Sequence, residues 1–231
     1  AFLNFPEEED WVLYGPYSDK TLLRNVMTMD IGHQMGRYHS RTRLCELVLN
    51  GEYKGVYVLM EKLKRDKNRL DIAKLKTTDI AGEELTGGYL FRIDKGNYPG
   101  WNSNYTSEAN PWAPIRFQYR YPNPDSIQPE QEAYIQSYVH GFEDAIANSP
   151  TFINNAGLHY TDYIDLESFV DNFIINELSR NVDGYRLSTY FHKDKNSKIV
   201  AGPFWDFNLG FGNADYCDGS STSGWIYDVH C

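Results

Sequence analysis

Apolar positions along the chain follow two different periods. From Asp19 to Gly36 (DKTLLRNVMTMDIGHQMG), residues Leu22, Leu23, Val26, Met27, Ile31 and Met35 recur at helical spacing, and Gly36 supplies a stop. The run RLCELVLNGEYKGVYVLMEKL predicts a β-hairpin. Val48 and Leu49 lead into Asn50-Gly51, and Val56 to Met60 form the returning strand. The NGEYKG segment is longer than a minimal turn, so about four loop residues are expected. Gly87 to Ile93 (GGYLFRI) is a further strand, ending in Asp94. Residues Asn97 to Asp125 are rich in Asn, Pro, Trp and Tyr and read as a long ordered loop.

Two longer helices follow. Pro129 to Asn148 opens with proline and acids in its first turn. Asp165 to Arg180 has Asp165 as its cap and Leu166, Phe169, Val170, Phe173, Ile174 and Leu178 as its expected buried stripe. Short strands are expected at Ser188 to His192 and Ile199 to Phe204. Helix, hairpin, strand, helices and a final β pair make an α+β pattern, not a regular strand–helix alternation.

Composition narrows the function classes. With 231 residues and 41% hydrophobic content, the chain is long enough for one large or two small domains. A net charge of −10 argues against general nucleic-acid or anionic-membrane binding, and no run of about twenty apolar residues is present to span a membrane. The basic run KLKRDKNR, Lys62 to Arg69, reads as a solvated face. The three cysteines include no CxxC pair, which argues against structural zinc. Cys45 lies in an apolar run and reads as a buried free thiol, whereas a Cys217–Cys231 bridge is left open. No signal peptide is visible, and the first residues, AFLNFPEEEDWVL, lack an initiator Met, so the chain is expected to be a fragment. His33, His39 and His140 have no partner spacing and read as surface or core residues. Trp101 and Trp112 are expected to fold their loop onto the body.

One segment carries candidate chemistry. In NVDGYRLSTYFHKDKNSKIVAGPFWDFNLGFG, Asp183 precedes a hairpin, Asp194 sits in its link, and Asp206 follows it. The outer ends of paired strands meet, so Asp183 and Asp206 are expected near each other. Hard divalent cations take carboxylate and amide oxygens together with substrate phosphates. Phosphoryl transfer needs such a clamp and a separate Asp to orient the attacking hydroxyl. An Asp, a polar residue five positions on, a hairpin, and an Asp-Phe pair reproduce that order in Asp183, Ser188, Asp206 and Phe207. On spacing alone, the reading of the acids as turn residues at strand ends is the favoured one.

Longer blocks decide between these readings. DWVLYGPYSDKTLLRN (Asp10 to Asn25), LVLNGEYKGVYVLMEKLKRDKNRLDI (Leu47 to Ile72), GGYLFRID (Gly87 to Asp94), NELSRNVDGYRLSTYFHKD (Asn176 to Asp194) and GPFWDFNLGFGNADYC (Gly202 to Cys217) together resemble the CotH (spore-coat protein H) kinase family of atypical, protein-kinase-like proteins. The resemblance implies a single reduced kinase-like domain over residues 1–231, with roughly 1–95 as the N-lobe and hinge portion and 96–231 as the C-lobe. It implies phosphotransfer from ATP with Mg²⁺ or Mn²⁺ to Ser or Thr of a secreted, coat or cell-surface protein, and an extracellular or spore-coat location.

Carried over by position, Asp183 resembles the catalytic-loop Asp and Asp206 the metal-binding Asp. Asn208 stands where many members have a second Asp, and Ser188 where the family often has Asn. Glu61 and Lys62 fall where a kinase hinge would touch the nucleotide. The family's RGNS-type segment and Lys-rich strand before the DWVL block are not in this chain, so Arg24 and Lys62 are the candidate phosphate-facing cations. Those departures motivate an alternative, a catalytically weak or inactive extracellular binding module on the same fold.

Overall fold

The computed structural model describes residues 4–107 and 110–229. In chain order the elements are β1 (Trp11–Tyr14), α1 (Arg24–Gln34), β2 (Thr42–Leu49), β3 (Glu52–Glu61), β4 (Tyr89–Ile93), β5 (Gly100–Ser107), β6 (Asn110–Tyr121), α2 (Pro129–Ala147), α3 (Leu166–Ser179), β7 (Thr189–Lys193) and β8 (Ile199–Ala201). They make an α+β protein with two antiparallel sheets, ordered β1-β3-β2 and β5-β6-β4-β7-β8.

The chain divides into two compact units. The first gathers Ala1–Asp71, Ile175–Gly184 and Pro203–Val229, and the second takes Ile72–Ile174 and Tyr185–Gly202. In the first unit, Val58 and Met60 of β3 share a face with Val12 and Tyr14 of β1. That face packs on Val26 and Met29 of α1 and on Trp205. A second cluster joins Ile175, Phe204 and Phe207 to Ile31 and Met35. The β2–β3 turn is tighter than the sequence suggested: Leu49 pairs with Glu52 across Asn50-Gly51 alone. Both turn residues have positive φ, 53° and 82°, as a two-residue hairpin turn matched to strand twist requires. The extra length of NGEYKG is taken up by a register shift between Leu47 and Val48, not by a longer loop.

The second unit buries Tyr89, Phe91, Trp101, Phe117 and Tyr119 from one sheet face against Ile135 and Val139 of α2. Asn97 to Asp125 therefore does not form a loop. Most of it folds as β5 and β6, with Trp101 in the core and Trp112 exposed. Lys193 of β7 is buried too. Its ammonium donates to the Thr86 carbonyl and lies 5.2 and 4.7 Å from the ring centres of Tyr134 and Tyr138.

The helices differ from expectation in which side they bury. α1 starts at Arg24, later than the periodicity implied, and its buried residues are Asn25, Thr28, Met29 and Gly32. α3 is capped as expected, the Ser168 amide donating to Asp165 Oδ1 at 2.8 Å. Its expected stripe is instead exposed at Leu166, Val170, Phe173, Ile174 and Leu178, while Ser168, Ile175, Asn176 and Ser179 are buried. The buried faces of both helices are partly polar because nearby irregular backbone needs hydrogen-bond partners there.

Candidate functional site

Asp183 sits in the turn that leaves α3. Two buried asparagines build that turn: Asn181 donates from Nδ2 to Asn176 Oδ1 at 3.0 Å, and the Asp183 amide donates to Asn181 Oδ1 at 3.3 Å. The Gly184 amide closes back on the Asn181 carbonyl at 2.8 Å. A Cβ at Gly184 would lie 2.6 Å from Asn176 Oδ1, so glycine is required for the close approach.

Asp206 lies in the segment Pro203 to Gly212, and three α1-side groups bolt that segment down. His39, which is buried, accepts the Phe204 amide on Nδ1 at 2.8 Å and packs its ring 4.1 Å from the Phe204 ring centre. Asn25 Oδ1 accepts the Phe207 amide at 2.7 Å. Arg24 donates to the carbonyls of Gly210, at 3.0 Å, and Phe211, at 3.3 Å. Between these anchors Asp206 adopts φ 65°, the left-handed region that non-glycine residues seldom occupy. Such a conformation persists only where its surroundings over-determine it, and such residues concentrate at functional sites.

Tyr14 completes the neighbourhood. Its hydroxyl is buried and has no hydrogen-bond partner among the described residues. Burial first, then the charges of Asp19 and Asp206, push its phenol above the ordinary value, against the opposing charge of Arg24. Asp19 is itself buried and paired with Arg24. Burial raises the Asp19 carboxyl, but hydrogen bonds from Thr21 and Arg24 outweigh it and hold the group below the usual carboxylate range.

The remaining expected site residues are spread more widely. Glu61 is buried in an ion network with Arg41, the backbone amide of Arg41, the Tyr38 hydroxyl and Arg69. Lys62 is half exposed and pairs with Asp10 at 3.3 Å. Arg24 is committed to Asp19 and to the loop after Asp206. The carbonyl of Asn208 accepts from Asn213 Nδ2 at 2.8 Å. Ser188 belongs to the second unit, just ahead of β7, with φ 49°. Asp194 does act as a turn residue, accepting the Ala73 and Lys195 amides on Oδ1, each at 2.7 Å.

Asn25, His39, Asn176, Asn181 and Tyr14 were not singled out from sequence as site-building residues. The one available signal was polar or small residues interrupting otherwise apolar helical stretches. Among the described residues no group of three or more His, Cys, Asp or Glu could hold a metal ion. The donor chemistry of Asp206 and Asn208, one carboxylate and one amide, suits a hard cation that also takes phosphate oxygens and waters. The buried, unpartnered Tyr14 hydroxyl beside the Asp206 charge fits a site that is completed by a ligand.

A family model described as CotH kinase protein matches residues 2–229. No curated protein matches the chain.

Proposed function

The chain belongs to the CotH kinase family, and from that premise we propose that it transfers the γ-phosphoryl group of ATP, with Mg²⁺ or Mn²⁺, to Ser or Thr hydroxyls of a secreted or coat protein. The observation that carries the reading is Asp206, held at φ 65° by the anchors on Phe204, Phe207, Gly210 and Phe211. Pre-positioned carboxylate oxygen is what a metal–phosphate clamp asks of a protein, since phosphoryl transfer depends chiefly on positioning and charge stabilisation. When bound, the cation would neutralise charge on the phosphates. Asp206 and Asn208 would hold it. Asp183, on its asparagine-built turn, would orient the acceptor hydroxyl and take its proton. The family supports a reduced kinase-like fold, a protein substrate and a coat or surface setting. No described helix is long and apolar enough to cross a membrane.

One observation favours a second reading, a binding module on the same fold. Arg24, Lys62 and Glu61 are all engaged in internal ion pairs, so none of these expected nucleotide-facing groups stands free. Thermal denaturation with ATP and Mg²⁺ or Mn²⁺ separates the readings. A metal-dependent rise in Tm that Asp206→Ala removes supports phosphotransfer. No rise under any of these conditions favours the binding module.

A further inference from the structure

The five-stranded sheet of the second unit buries Phe91, Phe117 and Tyr119 on one face, and strand alternation puts Arg92, Arg116 and Gln118 on the other. Arg120 reaches the same neighbourhood by a different route. Leu90 pairs with Tyr121 but Phe91 with Tyr119, which leaves Arg120 as the extra residue of a bulge. A bulge re-aims the side chain it carries. The link from β4 to β5 is tied down here. Gln118 Nε2 donates to the carbonyls of Asp94, Lys95 and Gly96 at 2.9, 3.1 and 3.1 Å, and the Tyr119 amide donates to the Pro99 carbonyl at 3.0 Å. Gly100 permits the close approach, since a Cβ there would collide with the Phe117 carbonyl oxygen.

This link presents Tyr98, half exposed, to three guanidiniums. The Tyr98 ring centre lies 5.5 Å from Arg92 Cζ and 5.7 Å from Arg120 Cζ, and the Tyr98 carbonyl accepts Arg116 Nη2 at 3.0 Å. The three are not equally committed. Arg92 donates to Gln118 Oε1 at 3.1 Å and the Tyr190 hydroxyl at 3.0 Å, and pairs with Asp94 at 2.8 Å. Arg116 also donates to Asn102 Oδ1 at 3.1 Å, and its Nε is buried without a partner among the described residues. Arg120 makes no hydrogen bond and no ion pair among the described residues, and its charge rests on the Tyr98 ring. A chain of net charge −10 has thus gathered three cations around one tyrosine, with Asp94 as the paired carboxylate.

We propose that Arg120, Arg116 and Tyr98 form a recognition site for a phosphorylated Ser or Thr of a protein partner. Arg120 offers a planar fork of N–H donors that matches two phosphate oxygens. Its stacking on Tyr98 holds the fork in place before the ligand arrives, so little side-chain freedom is lost on binding. Charge complementarity selects phosphate over a carboxylate. Asp94 is set against Arg92, which leaves Arg116 and Arg120 in excess. A phosphomonoester brings about 1.5 to 2 negative charges at pH 7 and offsets both. The exposed part of the Tyr98 ring gives the peptide atoms that carry the phosphate an apolar surface. All of these residues lie in the second unit, apart from Asp183 and Asp206, and the inference stands under either reading above.

The test titrates the whole chain, without nucleotide, into a dye-labelled Gly/Ser peptide carrying one phosphoserine and follows fluorescence anisotropy. The unphosphorylated peptide and a version with Glu in place of phosphoserine run in parallel, with inorganic phosphate as competitor. The phosphopeptide is expected to bind at least about tenfold more tightly than either other peptide, and less tightly as salt rises. Arg120→Gln is expected to remove most of that preference and Arg120→Lys to restore part of it, since lysine keeps the charge without the fork. Both variants are expected to keep the native Tm, because no hydrogen bond to Arg120 is lost. Equal binding of the three peptides overturns the site, as does a preference that survives Arg120→Gln or an affinity unchanged in Arg120→Lys. Inorganic phosphate that binds as tightly as the phosphopeptide overturns the protein partner. None of these outcomes bears on phosphotransfer, which the nucleotide-dependent Tm tests separately.

Discussion

His39 and Phe204 are joined twice, by ring packing at 4.1 Å and by the Phe204 amide donating to His39 Nδ1 at 2.8 Å. The two residues are 165 positions apart in sequence. Gly32 admits the imidazole, since a Cβ there would lie 2.3 Å from His39 Cδ2. The histidine thus bridges α1 to the segment that presents Asp206, and a residue without obvious partner spacing in the sequence becomes a fixed strut of the candidate site.

Removing the strut is expected to cost both stability and ligand response. His39→Ala strands a buried amide and opens a void, a loss of about 3 kcal/mol. Urea denaturation checks the stability loss. The nucleotide-dependent rise in Tm is expected to shrink in the same variant at temperatures where it remains folded.

Asn25 separates positioning from packing. Asn25→Ala leaves the Phe207 amide without its acceptor and is expected to destabilise by about 1–3 kcal/mol. Asn25→Asp keeps an oxygen at that place and is expected to recover part of the loss. If the two variants denature at the same urea concentration, the Asn25–Phe207 hydrogen bond does not hold the loop.

Lys193 gives the fold a pH dependence. Burial lowers its ammonium from 10.5 to about 8, with Asp194 opposing. Between these values the unfolded chain holds the proton that the folded chain has released. Stability is therefore lowest below pH 8 and rises toward pH 10.5. The full span amounts to roughly 3 kcal/mol at most, reduced by the two tyrosine faces and the Thr86 carbonyl that favour the charged form. Denaturation midpoints measured from pH 7 to about 9.5, short of ordinary tyrosine ionisation, are expected to rise in the native chain and to stay flat by comparison in Lys193→Met.

The hairpin turn supplies a local test. Gly51, at φ 82°, occupies backbone space that disfavours a side chain, and Gly51→Ala is expected to cost about 1 kcal/mol. Calorimetric Tm measures it. An unchanged Tm would mean that the two-residue turn is not maintained in solution.

Sequence pattern located the β2–β3 hairpin, the cap of α3, β4, β7 and the order of the acids, because each depends on neighbours in the chain. It failed where distant backbone set the requirement. On α3, periodicity pointed inward with Leu166, Val170 and Leu178, yet the buried positions include Ser168, whose Oγ accepts the Ala201 amide, and Asn176, which orients Asn181. Asn25 and Gly32 on α1 answer the needs of Phe207 and His39 in the same way. β6 was legible but obscured. Ile115, Phe117, Tyr119 and Tyr121 alternate with Arg116, Gln118 and Arg120, while Pro111, Pro114 and register shifts mask the strand pair. Asp183 and Asp206 stood out as acids, but Asn25 and His39, which with Arg24 anchor the Asp206 segment, act through contacts 165 or more residues apart in sequence that no local pattern announces.

The first unit's three-piece construction also sets the order in which a growing chain acquires its parts. Its sheet and α1 emerge early, but the pieces bearing Asp183 and Asp206 come after most of the second unit. Strut contacts such as His39–Phe204 must wait for that intervening chain, which is slow closure in the sense that non-local contacts are slow. During synthesis the amino-terminal piece is therefore left with the Met29–Val58–Met60 surface lacking its Trp205 cover. That surface stays uncovered until the later segment arrives, so the candidate site can be assembled only near the end of synthesis of these residues.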